Sequence, residues 1–317
     1  MLILGAGGNH RTEASIARAA TALGHTAIIV DTLGWRRRLG RLAPRFLRWE
    51  ADRFEADYVL CTRHAIAAGF DTIGRVVARR DSAFWYFDAA APLAEPVAAL
   101  ARVTARTFAT YGYQVDAFRK AGAPVAHFLP QGLDPAIDYP AEHCPESFRC
   151  DVSFVGSGQY PRRYGLLQAV ATSCRLQIRG PGWGSAPQIL PIAGGRLRGH
   201  AFAEAVRGAA ISLGVDALPF QREETQGGTS NRLWRVLGAG GLFLGEHVRG
   251  VDAFARDGQH AVWYRSPEEA IEQIRRLLVD PDLRSRIAGA GRAHALANHT
   301  YRHRLALLLA GQGYTST

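Results

Sequence analysis

The sequence is short of several residue types, and each shortage excludes a class of protein. Its four cysteines lack Cys-x-x-Cys spacing, so neither a zinc site nor a disulfide framework is predicted; they are Cys61, Cys144, Cys150 and Cys174. No apolar run reaches the roughly 18 residues that a transmembrane helix needs. The start, MLILGAGGNH, has the pattern of a strand and a glycine turn and not of a signal peptide. We therefore expect a cytoplasmic protein without a transmembrane segment.

Lysine is nearly absent. Lys120 is the only one, although lysine and arginine together number 38 and give the chain a formal net charge of +10. Such a charge attracts phosphates and raises the hypothesis of a nucleic-acid partner. The arginines are spread along the whole chain among many alanines and glycines, which indicates a compositional bias more than a DNA-binding face.

One dense basic cluster stands out at residues 35–53. Seven arginines there are interleaved with Trp35, Phe46, Leu47 and Trp49. Arginines among aromatic rings suit peripheral contact with a membrane surface, a lipid-linked phosphate or a nucleic acid. The alternative is a solvated amphipathic helix that covers a sheet.

Predicted strands and helices alternate throughout, which favours an α/β fold with doubly wound parallel sheets. The length of 317 residues and the hydrophobic content of 47% allow two domains with separate cores. We expect Rossmann-like domains over residues 1–130 and 151–300, a proline-containing linker over 131–150, and a terminal helix over 301–317 that crosses back to the first domain. Helices are predicted over 66–79 and 162–172, among others.

The amino-terminal turn contains Gly5, Gly7 and Gly8 between a predicted strand and a predicted helix, and Asp31 follows the next strand. This order also describes a dinucleotide-binding unit. The full fingerprint needs a third small residue where His10 stands, so the partial match is weak support for a nicotinamide-dependent oxidoreductase.

A second glycine-rich loop, Gly227-Gly228-Thr229-Ser230-Asn231-Arg232, leads into a helix predicted to begin near Asn231. Backbone N–H groups at such a helix start bind anions, and Arg232 would add a charge-assisted contact to a phosphate. The helix stops at a glycine pair, and a short apolar strand then carries Glu246. Another loop, at Gly156 and Ser157, precedes Arg162; it is either a second anion site or a plain strand-to-helix turn. The segment Gly180-Pro181-Gly182-Trp183 follows another predicted strand; it either frames the base of a nucleotide, or Trp183 packs in the core.

This stretch resembles the carboxy-terminal domain of the CgeB-type (spore-maturation) glycosyltransferases, relatives of the group 1 glycosyltransferases of GT-B fold. Several short motifs occur in the family's order: Ser230-Asn231-Arg232-Leu233-Trp234-Arg235, Gly240-Gly241, Glu246, Asp257-Gly258, Asp280-Pro281, Gly291-Arg292 and His299-Thr300-Tyr301-Arg302-His303-Arg304.

The resemblance implies two Rossmann-like domains whose parallel sheets face across a cleft. It also implies a metal-independent enzyme that moves a sugar from a nucleotide-diphosphate donor to an unidentified hydroxyl acceptor (a glycan, a protein, a small molecule or a nucleic acid), with retention of configuration. No cofactor besides the donor is expected. The residues expected to bind the donor or its phosphates are Gly228, Thr229, Ser230, Asn231, Arg232, Gly156, Ser157, Arg162 and Glu246. The expected catalytic candidates, polar side chains after strands of the first domain, are His10, His64 and Asp88.

The chain departs from the family at one motif. It has Trp234-Arg235 where the family has Phe-Glu, and in group 1 enzymes the matching glutamate binds the ribose of the donor. Glu223 and Glu224 would substitute only if their loop folds back. Two alternatives therefore stand beside the enzyme: a catalytically silent sugar- or nucleotide-binding module, and a glycosyltransferase that modifies nucleic-acid bases through the basic surface.

Overall fold

The computed structural model describes residues 1–90, 92–197, 199–217, 228 and 230–315. The chain forms two compact α/β units, the first made of residues 1–131 and 301–315 and the second of residues 132–300. In the described part of the chain no helix is both long and apolar enough to cross a bilayer.

The first unit is built on a six-stranded parallel sheet with the order β2-β1-β3-β4-β5-β6. Its strands are β1 (Leu2–Gly5), β2 (Ile28–Asp31), β3 (Tyr58–Cys61), β4 (Asp81–Tyr86), β5 (Arg106–Ala109) and β6 (Ala126–Phe128). Its helices are α1 (Thr12–Ala22), α2 (Thr32–Leu39), α3 (Ala43–Arg53), α4 (Phe70–Val77), α5 (Glu95–Val103), α6 (Gln114–Lys120) and, from the end of the chain, α12 (Tyr301–Leu309).

The helix predicted over residues 66–79 is divided in two. A 3-10 helix covers Arg63–Ala68, and α4 begins at Phe70. Gly69 separates them with φ of 85°, a conformation that side-chain-bearing residues rarely adopt.

The second unit repeats the plan, with six parallel strands in the order β12-β11-β10-β7-β8-β9. They are β7 (Cys150–Val155), β8 (Leu176–Arg179), β9 (Ala193–Gly194), β10 (Ala209–Leu213), β11 (Phe243–Glu246) and β12 (Val262–Tyr264). The helices are α7 (Tyr164–Ser173), α8 (Ala201–Gly208), α9 (Asn231–Gly238), α10 (Pro267–Val279) and α11 (Pro281–Asn298). The helix expected over 162–172 starts with a 3-10 turn, Pro161–Arg163, before α7.

Each unit has its own apolar core. Ile3, Leu60 and Trp85 are fully buried in the first unit, and Val152, Phe154 and Ile178 are fully buried in the second. Trp183 is also buried and its ring packs edge-on against Phe154, 6.0 Å between centroids. Of the two roles considered for Trp183, the structure therefore shows core packing.

The strand orders place one topological switch point in each unit. In the first sheet the chain moves from β1 to β2 on one side and then to β3 on the other; in the second it leaves β7 for β8 and later returns to β10 on the opposite side. Parallel sheets bind ligands in the crevice at the carboxyl ends of the strands that flank such a point. We call these the first-unit switch point (β1 and β3) and the second-unit switch point (β7 and β10).

Candidate functional site

A buried carboxylate lies at the first-unit switch point. Glu13, on the first turn of α1, is 2% exposed. One of its carboxylate oxygens, Oε1, accepts hydrogen bonds from the backbone N–H of Ala6 (3.0 Å) and the hydroxyl of Thr62 (2.7 Å), and it lies 3.1 Å from Nδ1 of His64. A single side chain thus ties the segment after β1 to the segment after β3.

Gly5 makes room for this carboxylate. A Cβ at position 5 would lie 2.5 Å from Cγ of Glu13 and 2.8 Å from the Thr62 hydroxyl, closer than real Cβ atoms come. Because Gly5 has no Cβ, the side chain of Glu13 fits beside the backbone of the amino-terminal turn. Asp31, the acidic residue expected of a dinucleotide-binding unit, accepts a hydrogen bond from the backbone N–H of Gly34 at the start of α2 (3.0 Å) and so acts as a helix cap.

The hydrogen bonds fix the charge of Glu13 and the tautomer of His64. Burial alone would raise the pKa of Glu13, but the bonds from His64, Ala6 and Thr62 outweigh it and lower that pKa to about 2. An ionised carboxylate only accepts hydrogen bonds, so Nδ1 of His64 must carry the proton it donates. In the neutral imidazole, Nε2 is then left as an acceptor. The Thr32 hydroxyl donates to the backbone carbonyl of His64 (2.6 Å) and pins the same loop.

The other two catalytic candidates of the first unit have different surroundings. His10 is exposed on the turn after β1. Asp88 follows β4, and its carboxylate forms a half-exposed ion pair with the guanidinium of Arg63 (2.8 Å). Of the three predicted residues, only His64 is held in place by a buried group.

An ion pair joins two of the predicted donor-binding residues at the second-unit switch point. Both terminal nitrogens of Arg162 donate to the carboxylate of Glu246, at 2.8 and 2.5 Å. Glu246, the last residue of β11, has a side chain only 4% exposed, whereas that of Arg162 is 28% exposed. This bidentate contact raises the pKa of Arg162, so the guanidinium stays charged.

Two further arginines reach the same crevice. Arg163 is buried, and it donates to the backbone carbonyls of Ser157 (2.6 Å) and Val215 (3.1 Å), which follow β7 and β10. Arg232, on the first turn of α9, donates from Nε to the carbonyl of Val155 (2.7 Å). A Cβ at Gly156 would lie 2.7 Å from Nη2 of Arg232, so this glycine lets the guanidinium lie across the end of β7.

Asp216 faces these arginines from the segment after β10. Desolvation of its carboxyl, followed by the charge of Glu246, raises the pKa of Asp216 to about 6 against the opposing effect of Arg232, Arg162 and Arg163. A small cavity is lined by Gly214, Asp216, Gly228, Ser230, Glu246 and Trp263, among others. In the described part of the chain no three His, Cys, Asp or Glu side chains are grouped to hold a metal ion.

The start of α9 lies beside this cavity. Ser230 is the cap residue, and its hydroxyl accepts a hydrogen bond from the backbone N–H of Arg232 (3.3 Å). The side-chain oxygen of Asn231 is buried without a hydrogen-bond partner within the described residues. Gly227, Thr229, Glu223 and Glu224 lie outside the described residues.

Arg235, the residue that replaces the family's glutamate, has a structural partner. Its Nε donates to the carboxylate of Asp138 (3.1 Å), and its guanidinium carbon lies 3.9 Å from the ring centroid of Phe202. Burial raises the pKa of Asp138, against the opposing charge of Arg235. Arg235 thus neutralises a buried acid in the segment that precedes β7.

Sequence reasoning missed Glu13 and Asp216. Asp216 could have been found, because it follows a buried apolar strand in the same way as Asp88 does. Glu13 gives no such signal, since an acidic residue in the first turn of a helix is ordinary and needs no partner.

Comparison with known proteins supports a glycosyltransferase. Residues 162–310 match a family model described as glycosyl transferase-like. The matched segment contains Arg162, Arg163, Asp216, Arg232 and Glu246. No curated protein matches the chain significantly.

Solved structures show the fold. HepE from Anabaena, solved with UDP and glucose, has a TM-score of 0.68 at 14% identity, over 98% of this chain and 99% of that one. Sucrose-phosphate synthase from Thermosynechococcus elongatus has a TM-score of 0.64 at 11% sequence identity, over 98% of both chains. A T4 phage BGT variant solved with UDP-glucose has a TM-score of 0.63 at 12% sequence identity, over 98% of this chain and 97% of that one. The chain has the GT-B fold, with two Rossmann-like domains, as the sequence predicted.

Proposed function

We propose that this chain is a glycosyltransferase that moves a sugar from a nucleotide-diphosphate donor to a hydroxyl acceptor. The observation that carries the proposal is the convergence of Arg162, Arg163 and Arg232 on the second-unit switch point, inside the segment matched by the family model. When a glycosidic bond to a nucleotide breaks, negative charge develops on the leaving diphosphate. Fixed guanidinium groups and the N–H groups at the start of α9 stabilise that charge.

The donor is proposed to be a UDP-sugar, because HepE and BGT, two of the structural relatives, were solved with UDP or UDP-glucose. Arg162 and Arg232 would contact the diphosphate. Arg163 donates hydrogen bonds to two backbone carbonyls. It would act by its charge and by holding the walls of the crevice together. The carboxylate of Glu246, which holds Arg162 in place, would accept hydrogen bonds from ribose or sugar hydroxyls. With this much positive charge supplied by arginine, transfer is proposed to need no metal.

The acceptor is proposed to lie with the first unit, where His64 presents Nε2 as a hydrogen-bond acceptor. Glu13 would be a positioning residue, since it holds the His64 ring and its tautomer. The expected retention of configuration follows the resemblance to group 1 and CgeB-type enzymes, and His64 would then hold a sugar hydroxyl. Inversion is the second candidate; the Glu13–His64 pair favours it, because such a pair can take the proton of an attacking hydroxyl. NMR of the anomeric proton in the product distinguishes the two outcomes.

The test is calorimetry of the full chain with UDP-, GDP-, ADP- and dTDP-sugars, with NADH and a short DNA duplex as further ligands. One nucleotide sugar should bind, and Arg232→Ala should weaken it about tenfold to a hundredfold, the range for charge-assisted contacts. Arg275→Ala, which removes an exposed arginine from α10 of the same unit, should leave affinity unchanged. Thermal unfolding of each variant shows whether it is folded.

The catalytic part of the proposal needs a second readout, which is release of the nucleoside diphosphate from the bound donor. Binding with no release in the presence of varied acceptors would indicate the silent binding module. Binding of NADH and of no nucleotide sugar would overturn the proposal, and so would binding of DNA alone.

A further inference from the structure

The most conspicuous surface feature outside the two switch points is formed by α2, α3 and the turn between them. Seven large apolar side chains are exposed in the described part of the chain, and three of them are Leu42 (57%), Phe46 (40%) and Trp49 (50%). Exposed apolar side chains are ordinary when scattered, but a contiguous set marks an interaction surface. We call this set, with Trp35, the aromatic patch.

The orientation of α3 is fixed by its inner face. Ala43, Leu47 and Ala51 recur every fourth residue and are buried. Leu42, Phe46 and Trp49 are spaced by four and three residues, so they form a second stripe on one side of the helix. This stripe points away from the buried one, and nothing within the described first unit covers it.

The rings of the patch pack against one another. The centroids of Trp35 and Phe46 are 4.3 Å apart, and those of Phe46 and Trp49 are 5.3 Å apart. The guanidinium of Arg53 lies 5.2 Å above the ring of Trp49. The three rings therefore form one continuous apolar surface with a cation at its edge.

Positive charge surrounds this surface. Residues 35–53 hold seven arginines against Glu50 and Asp52, a net charge of +5 out of +10 for the whole chain. Asp52 is itself paired with Arg80 from the segment after α4 (3.2 Å). The exposed arginines of the stretch are Arg36, Arg37, Arg38, Arg41, Arg45 and Arg53.

We propose that the aromatic patch and its arginines dock this protein on an anionic membrane surface. Helices that lie in the plane of a membrane interface place tryptophan, phenylalanine and leucine in the acyl boundary and arginines among the phosphates. A nucleic acid fits less well, because Leu42 has no ring for a base to stack on and the aromatic rings partly cover each other. A second copy of the chain would bring two patches of +5 together. The proposal does not depend on the glycosyltransferase assignment.

The experiment is co-sedimentation of the full chain with vesicles of phosphatidylcholine alone and of phosphatidylcholine mixed in equal parts with phosphatidylglycerol. Binding to the anionic vesicles only is expected, and it should weaken as salt is raised. Replacing Arg37, Arg38 and Arg45 by glutamine should lower the partition coefficient about fivefold for each arginine. Phe46→Ala with Trp49→Ala should lower it about tenfold or more.

Matched controls come from α10. Val279→Ala removes an apolar side chain that is 83% exposed, and Arg275→Gln with Arg276→Gln removes two exposed charges; neither should change the partition coefficient. Three results would overturn the proposal. One is equal binding to both kinds of vesicle, and another is binding to single-stranded DNA but not to vesicles. The third is no binding to either kind of vesicle; dimers that Trp49→Ala dissociates in the ultracentrifuge would then identify a second copy of the chain as the partner.

Discussion

The two switch points have the same topology and opposite charge chemistry. At the first, one buried carboxylate gathers a hydroxyl, a backbone N–H and an imidazole. At the second, three arginines gather around two carboxylates. The sheet order thus decides where side chains meet, and the residue types decide what they can do. The first arrangement suits hydroxyl and proton chemistry, whereas the second suits a diphosphate.

Glu13 and Asp216, the acids of the two switch points, also titrate in opposite directions. Hydrogen bonds lower the pKa of Glu13 to about 2, whereas desolvation and a neighbouring carboxylate raise the pKa of Asp216 to about 6. Burial disfavours the charge in both, so the difference comes from the donors around each carboxylate. If the first crevice serves turnover and the second binds the nucleotide, a substitution in one crevice should leave the property of the other unchanged.

The largest expected effect is that of His64→Asn on turnover. Loss of the imidazole should lower kcat by about a hundredfold or more, the usual contribution of such a group. Affinity for the nucleoside diphosphate, measured by calorimetry without the sugar, should stay within about twofold because it reports only on the arginine site. His25→Asn, an exposed histidine between α1 and β2 of the same unit, is the matched control and should leave kcat unchanged. Equal losses of turnover and of nucleoside diphosphate affinity would show that the two crevices do not act separately.

Glu13→Gln should reduce stability in a way that depends on pH. Lowering the pKa from 4.5 to about 2 corresponds to about 3 kcal/mol at 1.36 kcal/mol per unit, present above the unfolded pKa and lost as the pH falls through the folded one. In urea unfolding the variant should therefore be less stable at pH 7, and the difference should shrink between about pH 5 and pH 3.

The control for this substitution is Glu95→Gln in the same unit. Glu95 pairs with Arg102, but its side chain is 74% exposed, and exposed pairs contribute little. A loss that is the same at pH 7 and pH 3 would mean that Glu13 stabilises the fold by packing and not through its charge. The first switch point would then lack the fixed anion on which the tautomer of His64 depends.

The sequence predicted the layout of the second switch point better than that of the first. The alternation of strands and helices, the start of a helix at Asn231 and the position of Glu246 at a strand end are all local features, and the structure has them. Glu13 was missed because periodicity shows which helix positions are polar but not which one will lie under Gly5. Its partners, Thr62 and His64, are about fifty residues away in the chain, and only the strand order brings them together.

The role of Arg235 could not be predicted from the sequence for a different reason. The sequence showed a positive charge where the family has a glutamate, and the missing ribose contact was inferred from that position alone. Its partner, Asp138, lies 97 residues earlier in the stretch predicted as a linker. A long-range ion pair of this kind leaves no local pattern, so only the structure shows that Arg235 neutralises a buried acid.

The smallest expected effect belongs to Asp216 and tests the second switch point by pH. Because the folded pKa of Asp216 is raised to about 6, the carboxyl is neutral below that pH, and its ionisation above it carries a cost in the folded protein. The new negative charge would also oppose the diphosphate. Affinity for the nucleotide sugar should therefore fall about threefold to fivefold between pH 5 and pH 7, the scale of one charge across a partly solvated site.

Asp216→Asn should flatten that pH dependence and bind the donor more tightly than the native chain at pH 7. A nucleotide sugar is the right ligand, since its diphosphate is esterified at both ends and lacks the group with a pKa near 6 that a terminal phosphate has. Asp282→Asn, an exposed acid on the first turn of α11, should keep the native slope. If Asp216→Asn also keeps the native dependence of affinity on pH, the titrating group is a different residue. The contrast between Glu13 and Asp216 would then say nothing about donor binding, and it would concern only how each unit is held together.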